Sequence, residues 1–219
     1  NNGTLSRLVS QPIYRDNIIN AKFAAGVTTI AVLLLTMILL VSGLGLRLIG
    51  IPPTAEEVWR ILFFFVISLF YASFWLGLAM LFSTLFRQVA VSAIVSLAVW
   101  IFFLFFFPLI YEFIGGMITA DTAASAESAI NNLITISRLS PTQLFDESMY
   151  TLLVPGTRST SQIIQLLITD AGQYLLPNPL SLGQSLLSVW PQIIVIILLT
   201  IICFALSYIK FMREEIRAT

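Results

Sequence analysis

The side chains that could do acid–base, nucleophilic or metal chemistry are few in this chain, and their spacing assembles none of it. Histidine is absent and Cys203 is the single cysteine. That excludes a His/Cys zinc site, a disulfide framework and every His-dependent triad or dyad. Asp146 and Glu147 are neighbours in sequence. On a helix they would point about 100° apart, so they do not form a general acid/base pair. The serines have no His or Lys set beside them by a motif. No G-x-x-x-x-G-K-[ST] phosphate loop occurs, so the chain does not cradle ATP in that manner. Asn2-Gly3-Thr4 has the form of a glycosylation sequon. It falls on the side read below as cytoplasmic and is taken as chance. No catalytic, cofactor-binding or metal-binding residue is expected, and the chain is not read as an enzyme.

The elements that carry these residues are dictated by hydropathy. Of 219 residues, 58% are hydrophobic and 10% charged, with a mean hydropathy of +0.96. A soluble domain carries about a quarter charged residues. A chain of 24.3 kDa cannot enclose that much apolar surface in one core, so it needs lipid. A net charge of zero gives no case for a nucleic-acid partner. Four apolar stretches reach the length of about 20 residues that a helix needs to cross a bilayer. They run from about Ala24 to Leu46, Ile61 to Leu85, Val89 to Ile114 and Val189 to Ile209. The expected fold class is therefore all-α: a polytopic helical membrane protein with four transmembrane helices, extracytoplasmic helices and a short cytoplasmic amphipathic N-terminal helix.

Charge orients the spans. Arg7, Arg15, Lys22, Arg87, Lys210, Arg213 and Arg217 fall on one side, and the short loop on the other side holds only Arg47 and Arg60. By the positive-inside rule both termini are cytoplasmic, in a multi-pass protein of the cell membrane. Trp59, Tyr111 and Trp190 then fall near the outer interface, where amphipathic rings settle. The spans hold no ionisable residue away from their ends, unlike ion-coupled carriers and proton pumps. Pro108 is read as the only interior proline, kinking the third span after Phe102–Phe107. Ser73/Gly77 and Ser92/Ser96 have the spacing that lets helices approach closely, within the chain or across a dimer.

Four segments follow. Residues 1–22 form a cytoplasmic segment, 23–114 three transmembrane helices, 115–187 an extracytoplasmic helical segment, and 188–219 the last transmembrane helix and basic cytoplasmic tail. In the outer segment Ser140-Pro141-Thr142-Gln143 predicts a helix start, with Ser140 and Gln143 as a capping box. Leu144, Phe145, Met149, Leu152 and Leu153 give it helical period, and Pro155-Gly156 stops it. An earlier helix is expected over 126–139, and the apolar run 162–169 is too short to span. Pro177-Asn178-Pro179 marks a break before the last span.

At the cytoplasmic start, GTLSRLVSQPIYRDNIINAK over residues 3–22 predicts a short amphipathic helix, a bend at Pro12 and a second helix rising into the first span. Leu5, Leu8 and Val9 share one face of the short helix. By physics alone this reads first as a membrane-surface helix that anchors the chain. The segment resembles the coupling segment of ABC-2-type ABC transporter permeases. Gly3, Thr4, Leu5, Leu8, Ser10, Pro12, Ile13, Arg15 and Lys22 carry the resemblance. The ending SLLSVWPQIIVIILLTIICFALSYIKFMREEIR is similar to the last span and basic tail of the same family. Within it, the chain resembles the multi-copper-enzyme-maturation permease group.

That resemblance implies a permease subunit of an ABC transporter, an exporter working as a homo- or heterodimer in the bilayer. A separate ABC ATPase subunit would hold the ATP and magnesium. The ATPase-coupling residues would be Gly3, Thr4, Leu5, Arg7, Leu8, Val9, Pro12 and Arg15. Leu5, Leu8 and Val9 would be apolar anchors, with Arg7 and Arg15 on acidic groups or the membrane surface. The uncharged spans point to apolar, amphipathic or peptide-like cargo rather than a free ion. Such permeases have about six spans, two of them before the coupling segment. With four spans and Asn1 as its first residue, the chain is expected to be part of a longer transporter half. The competing reading is a non-transporting scaffold that recruits a soluble partner through its N-terminal helix.

Overall fold

The computed structural model describes residues 15–86, 88–121, 135–154 and 181–213. Among them there is no strand. The helices are α1 (Arg15–Ile49), α2 (Ala55–Leu85), α3 (Val89–Ile101), α4 (Phe107–Asp121), α5 (Pro141–Leu153) and α6 (Leu182–Arg213). A π-helical segment, Phe102–Phe106, joins α3 to α4 without a break. Four stretches are long and apolar enough to cross a membrane: Asp16–Leu48, Ala55–Leu85, Val89–Ile114 and Leu182–Arg213. The four expected spans are all present.

The helices are longer than hydropathy marks. α2 begins six residues before Ile61, and α6 begins seven before Val189. Thr54 starts α2. Its hydroxyl accepts from the Glu57 amide, while the Glu57 carboxylate accepts from the Thr54 amide at 2.7 Å. This reciprocal pair is a capping box. Pro191 lies inside α6, and already inside the expected Val189–Ile209 span. Pro108 is therefore not the only proline within a spanning helix.

The expected kink near Pro108 takes the form of the π segment. Pro108 has no amide hydrogen, so the Leu104 carbonyl cannot receive the ordinary i→i+4 bond from it. The backbone widens one turn earlier, where the Phe107 amide donates to the Phe102 carbonyl.

α2 is the central post. It packs on α6 along most of its length, on α1 and α3 at its flanks, and on α5 at one end. The core at that end is Ile67, Leu152 and Val189, with Phe63, Phe145 and Leu186 packed around it. Along α6 the buried positions are Ser185, Val189, Gln192, Ile196, Thr200, Cys203 and Ser207. Steps of three and four place them on one stripe. Half of that stripe is small or hydroxylic, which brings α6 close to α2. A methyl on Gly77 would sit 3.6 Å from Cys203 Cβ and 3.8 Å from the Thr200 carbonyl. Thr200 also reaches across to the Phe70 carbonyl at 3.4 Å. By contrast, α1 exposes Leu33, Met37, Leu40 and Leu44, and α3 exposes Val89, Ile94 and Leu97. Such faces need acyl chains or another membrane helix.

α5 begins where the sequence places it, with Ser140 in extended geometry and Pro141 in the first turn. The capping box read at Ser140 and Gln143 is not formed. The Ser140 hydroxyl makes no capping bond, and it is buried without a hydrogen-bond partner. Of the expected apolar face, Leu144 and Leu152 are buried, but Leu153 is exposed. Glu147, Ser148 and Thr151 are buried instead. Only 135–139 of the earlier helix is described, a helical turn over 135–137 followed by a tight turn. The expectations at 155–156, 162–169 and 177–179 lie outside the described residues.

Candidate functional site

One end of the bundle gathers the feet of α1, α2 and α6. Of the expected coupling residues, Gly3, Thr4, Leu5, Arg7, Leu8, Val9 and Pro12 lie outside the described residues. Arg15 is the first residue of α1. From there the helix is continuous to Ile49, so it joins residues next to the coupling segment to the far side of the bundle. A 35-residue helix is about 50 Å long, enough to cross the bilayer and project from it. Its first turns are anchored. Ile18 and Ile19 are buried, and the Phe23 ring lies 4.5 Å from that of Phe204 on α6. Ile19, Lys22, Leu76, Met80, Thr84 and Phe211 surround a groove between the three feet. Lys22, Lys210 and Arg213 thus stand at one end of the bundle.

The opposite end is closed by a polar clamp that the spans' hydropathy did not reveal. Arg60, counted above as a loop charge, lies inside α2 and is 5% exposed. Its guanidinium donates to the Leu152 carbonyl at 2.8 Å, to the Ser185 hydroxyl at 3.2 Å and to the Glu56 carboxylate at 2.8 Å. Leu152 is in the last turn of α5, where carbonyls lack helical partners. The same Glu56 carboxylate accepts from the Leu182 amide, the first residue of α6, at 3.1 Å. A carboxylate at a helix N-terminus and a cation at a C-terminus both oppose the helix dipoles. One ion pair therefore caps two helices from a third. A planar guanidinium suits this task, because its several donors diverge in fixed directions.

A second pair holds α5 to the turn before it. Arg138 grips Glu147 with two bonds, at 3.0 and 2.6 Å. The hydrogen bond and charge of Glu147 hold the Arg138 guanidinium above its ordinary range. Tyr71 of α2 stacks on Phe145 of α5 with centroids 4.3 Å apart, and its hydroxyl lies 3.4 Å from Thr142. Asp146 and Glu147 diverge, as their spacing dictates. Glu147 faces Arg138, whereas Asp146 lines a cavity against α4. Burial pushes the Asp146 carboxyl up from its ordinary value.

Gly77 lies on the α2–α6 seam within the chain. Ser73 is buried on the same helix and donates to the Leu69 carbonyl. Ser92 is buried on α3, and Ser96 donates to its carbonyl at 2.8 Å. Ser96 lines a groove with Tyr71, Trp75 and Trp100 between α2 and α3. Among the described residues no group of three or more Cys, Asp or Glu could hold a metal ion.

The Thr54–Glu57 capping box was legible in the sequence and would have placed Arg60 in the second turn of a helix. The bonds of Arg60 to Leu152 and Ser185 had no local signal, since those partners lie 92 and 125 residues away.

Comparison with known families gives one match: the family described as ABC-2 family transporter protein, over residues 1–216. It assigns no subgroup. No curated protein and no solved structure matches the chain.

Proposed function

The chain belongs to the ABC-2 transporter family, and from that premise we propose that it is the permease subunit of an ATP-driven exporter, moved by ATP hydrolysis on a separate ATPase subunit. The observation that carries this reading is α1. It starts at Arg15, inside the coupling-type segment, is buried at its foot through Ile18 and Ile19, and runs unbroken for 35 residues. A displacement applied at Arg15 would be delivered to the whole span. That is what a two-state coupling element requires.

In this reading Leu5, Leu8 and Val9 seat in a groove of the ATPase, Arg7 and Arg15 meet acidic groups or the membrane surface, and Gly3, Thr4 and Pro12 belong to the same ATPase-coupling segment. ATP and magnesium reside on that partner. The basic feet of α1 and α6 face the cytoplasm, and the Arg60 clamp faces outward. A second permease subunit covers the apolar faces of α1 and α3 that lipid does not. The lack of ionisable residues in the spans away from their ends suits an apolar, amphipathic or peptide-like cargo rather than a free ion.

Leu8→Asp tests the coupling role. Placing an unpaired charge at a buried anchor costs about 2 kcal/mol or more. That is roughly a thirtyfold loss of subunit affinity. The variant should reach normal membrane abundance yet lose both ATPase retention and cargo-stimulated ATP hydrolysis. Retention of both would leave the helix a surface anchor and overturn the coupling role.

A further inference from the structure

The cavity between α4 and the first turns of α5 has a lining that helix packing alone does not call for. It encloses about 280 Å³ of empty space, including its mouth. One wall is aromatic. Phe103, Phe107 and Tyr111 recur every fourth residue and climb the same helix face, with centroids 5.7 and 6.1 Å apart. The other wall is polar, formed by Ser140, Gln143 and Asp146. The Ser140 hydroxyl belongs to a residue 2% exposed and has no hydrogen-bond partner. Natural proteins rarely leave such a group unsatisfied. The carboxylate beside it is equally unusual. Glu147, the next residue, is matched by Arg138. Among the described residues no basic side chain pairs with Asp146. A partly buried carboxylate needs a counter-charge or a proton.

We infer that this cavity binds an organic ammonium group, with Asp146 as counter-ion, Ser140 and Gln143 accepting its hydrogens, and the Phe103–Phe107–Tyr111 face covering its alkyl side. Aromatic faces attract alkylated cations and pair poorly with a hydrated metal ion, which keeps its waters. An anion drawn to the uncapped α5 N-terminus would meet the Asp146 charge in the same space. The ammonium can come from a free amine or from the ethanolamine headgroup of a phospholipid. Both have the chemistry that the walls recognise. The site stands at the α5 end of the bundle, and its binding does not depend on the transport reading.

The test uses the full chain in nanodiscs of phosphatidylglycerol, which carries no amine. Ethylammonium chloride is titrated calorimetrically against sodium chloride at matched ionic strength. Saturable binding of ethylammonium and none of sodium is expected. Asp146→Asn should weaken it roughly tenfold or more. Phe107→Leu, which removes a ring and no charge, should weaken it a few-fold. The second variant keeps the test decisive if the first does not fold. Adding phosphatidylethanolamine distinguishes the sources. Competition with ethylammonium identifies the headgroup as occupant, and undisturbed binding identifies a free amine. Absence of saturable ethylammonium binding, sodium binding of equal strength, or unchanged affinity in both variants would overturn the assignment.

Discussion

Arg60 shows how one residue can organise an end of a membrane bundle. Hydropathy alone counts it as a charge to be kept out of the span. In the fold it is buried and ties α2 to the end of α5 and the start of α6. Arg60→Ala leaves the Ser185 hydroxyl and the Leu152 carbonyl short of a donor in a buried place. Its partner Glu56 keeps 53% of its side chain exposed, so solvent recovers part of the loss on that side. A net cost of about 2 kcal/mol is expected. Thermal unfolding in detergent should show it as a transition lowered by about 5 °C. Arg60→Lys should recover only part of this, because an ammonium cannot span three divergent acceptors. An unchanged transition in Arg60→Ala would show that the clamp is not a stabilising element. The clamp was not legible in the sequence, because its partners are brought together by tertiary structure. Ser140 carries the converse lesson. Its position before Pro141 predicted a cap, yet the hydroxyl makes no capping bond and is buried without a partner beside a cavity.

At the scale of elements, the seam between α2 and α6 depends on small residues. Gly77 has room for one methyl at ordinary contact distance, with Cys203 Cβ 3.6 Å away. Gly77→Ala should therefore be tolerated. Gly77→Leu must push α6 outward and strain the bond from Thr200 to the Phe70 carbonyl. Overpacking of this kind costs about 1–3 kcal/mol. Comparing the two variants by melting temperature and by monodispersity in detergent checks the seam. Equal stability of both would show that α6 does not lie this close. Hydropathy located every span and set Leu85 and Val89 correctly, but it set other ends short, as at Ala55 and Leu182. Hydropathy reports only the part of a helix that must satisfy lipid. The turns beyond it, such as 55–60 and 182–188, are stabilised by protein partners, and those carry no hydropathy signal. The π segment follows the same logic. Pro108 announced a disturbance, and the backbone answers it with a widened turn in which the Phe107 amide bonds the Phe102 carbonyl.

Among the described residues, α2 and α6 form a post with α5 packed at one end, while α1 and α3 present apolar faces. Its two ends differ in kind. One gathers Lys22, Lys210 and Arg213, and the other a closed network around Arg60 and Glu147. Composition and span count were enough to place the chain in a membrane. The proposed coupling role rests instead on the residues between Gly3 and Lys22, through the family they resemble. Its central claim is that this chain works with a separate ATPase. The most direct measurement is to purify the full-length protein from its native membrane under mild conditions and ask what hydrolyses ATP in the preparation. The account predicts a stoichiometric second subunit that carries a G-x-x-x-x-G-K-[ST] phosphate loop, with ATP hydrolysis that is lost when that subunit's lysine is replaced. A preparation that holds this chain intact, with no such subunit and no ATP hydrolysis, would contradict it.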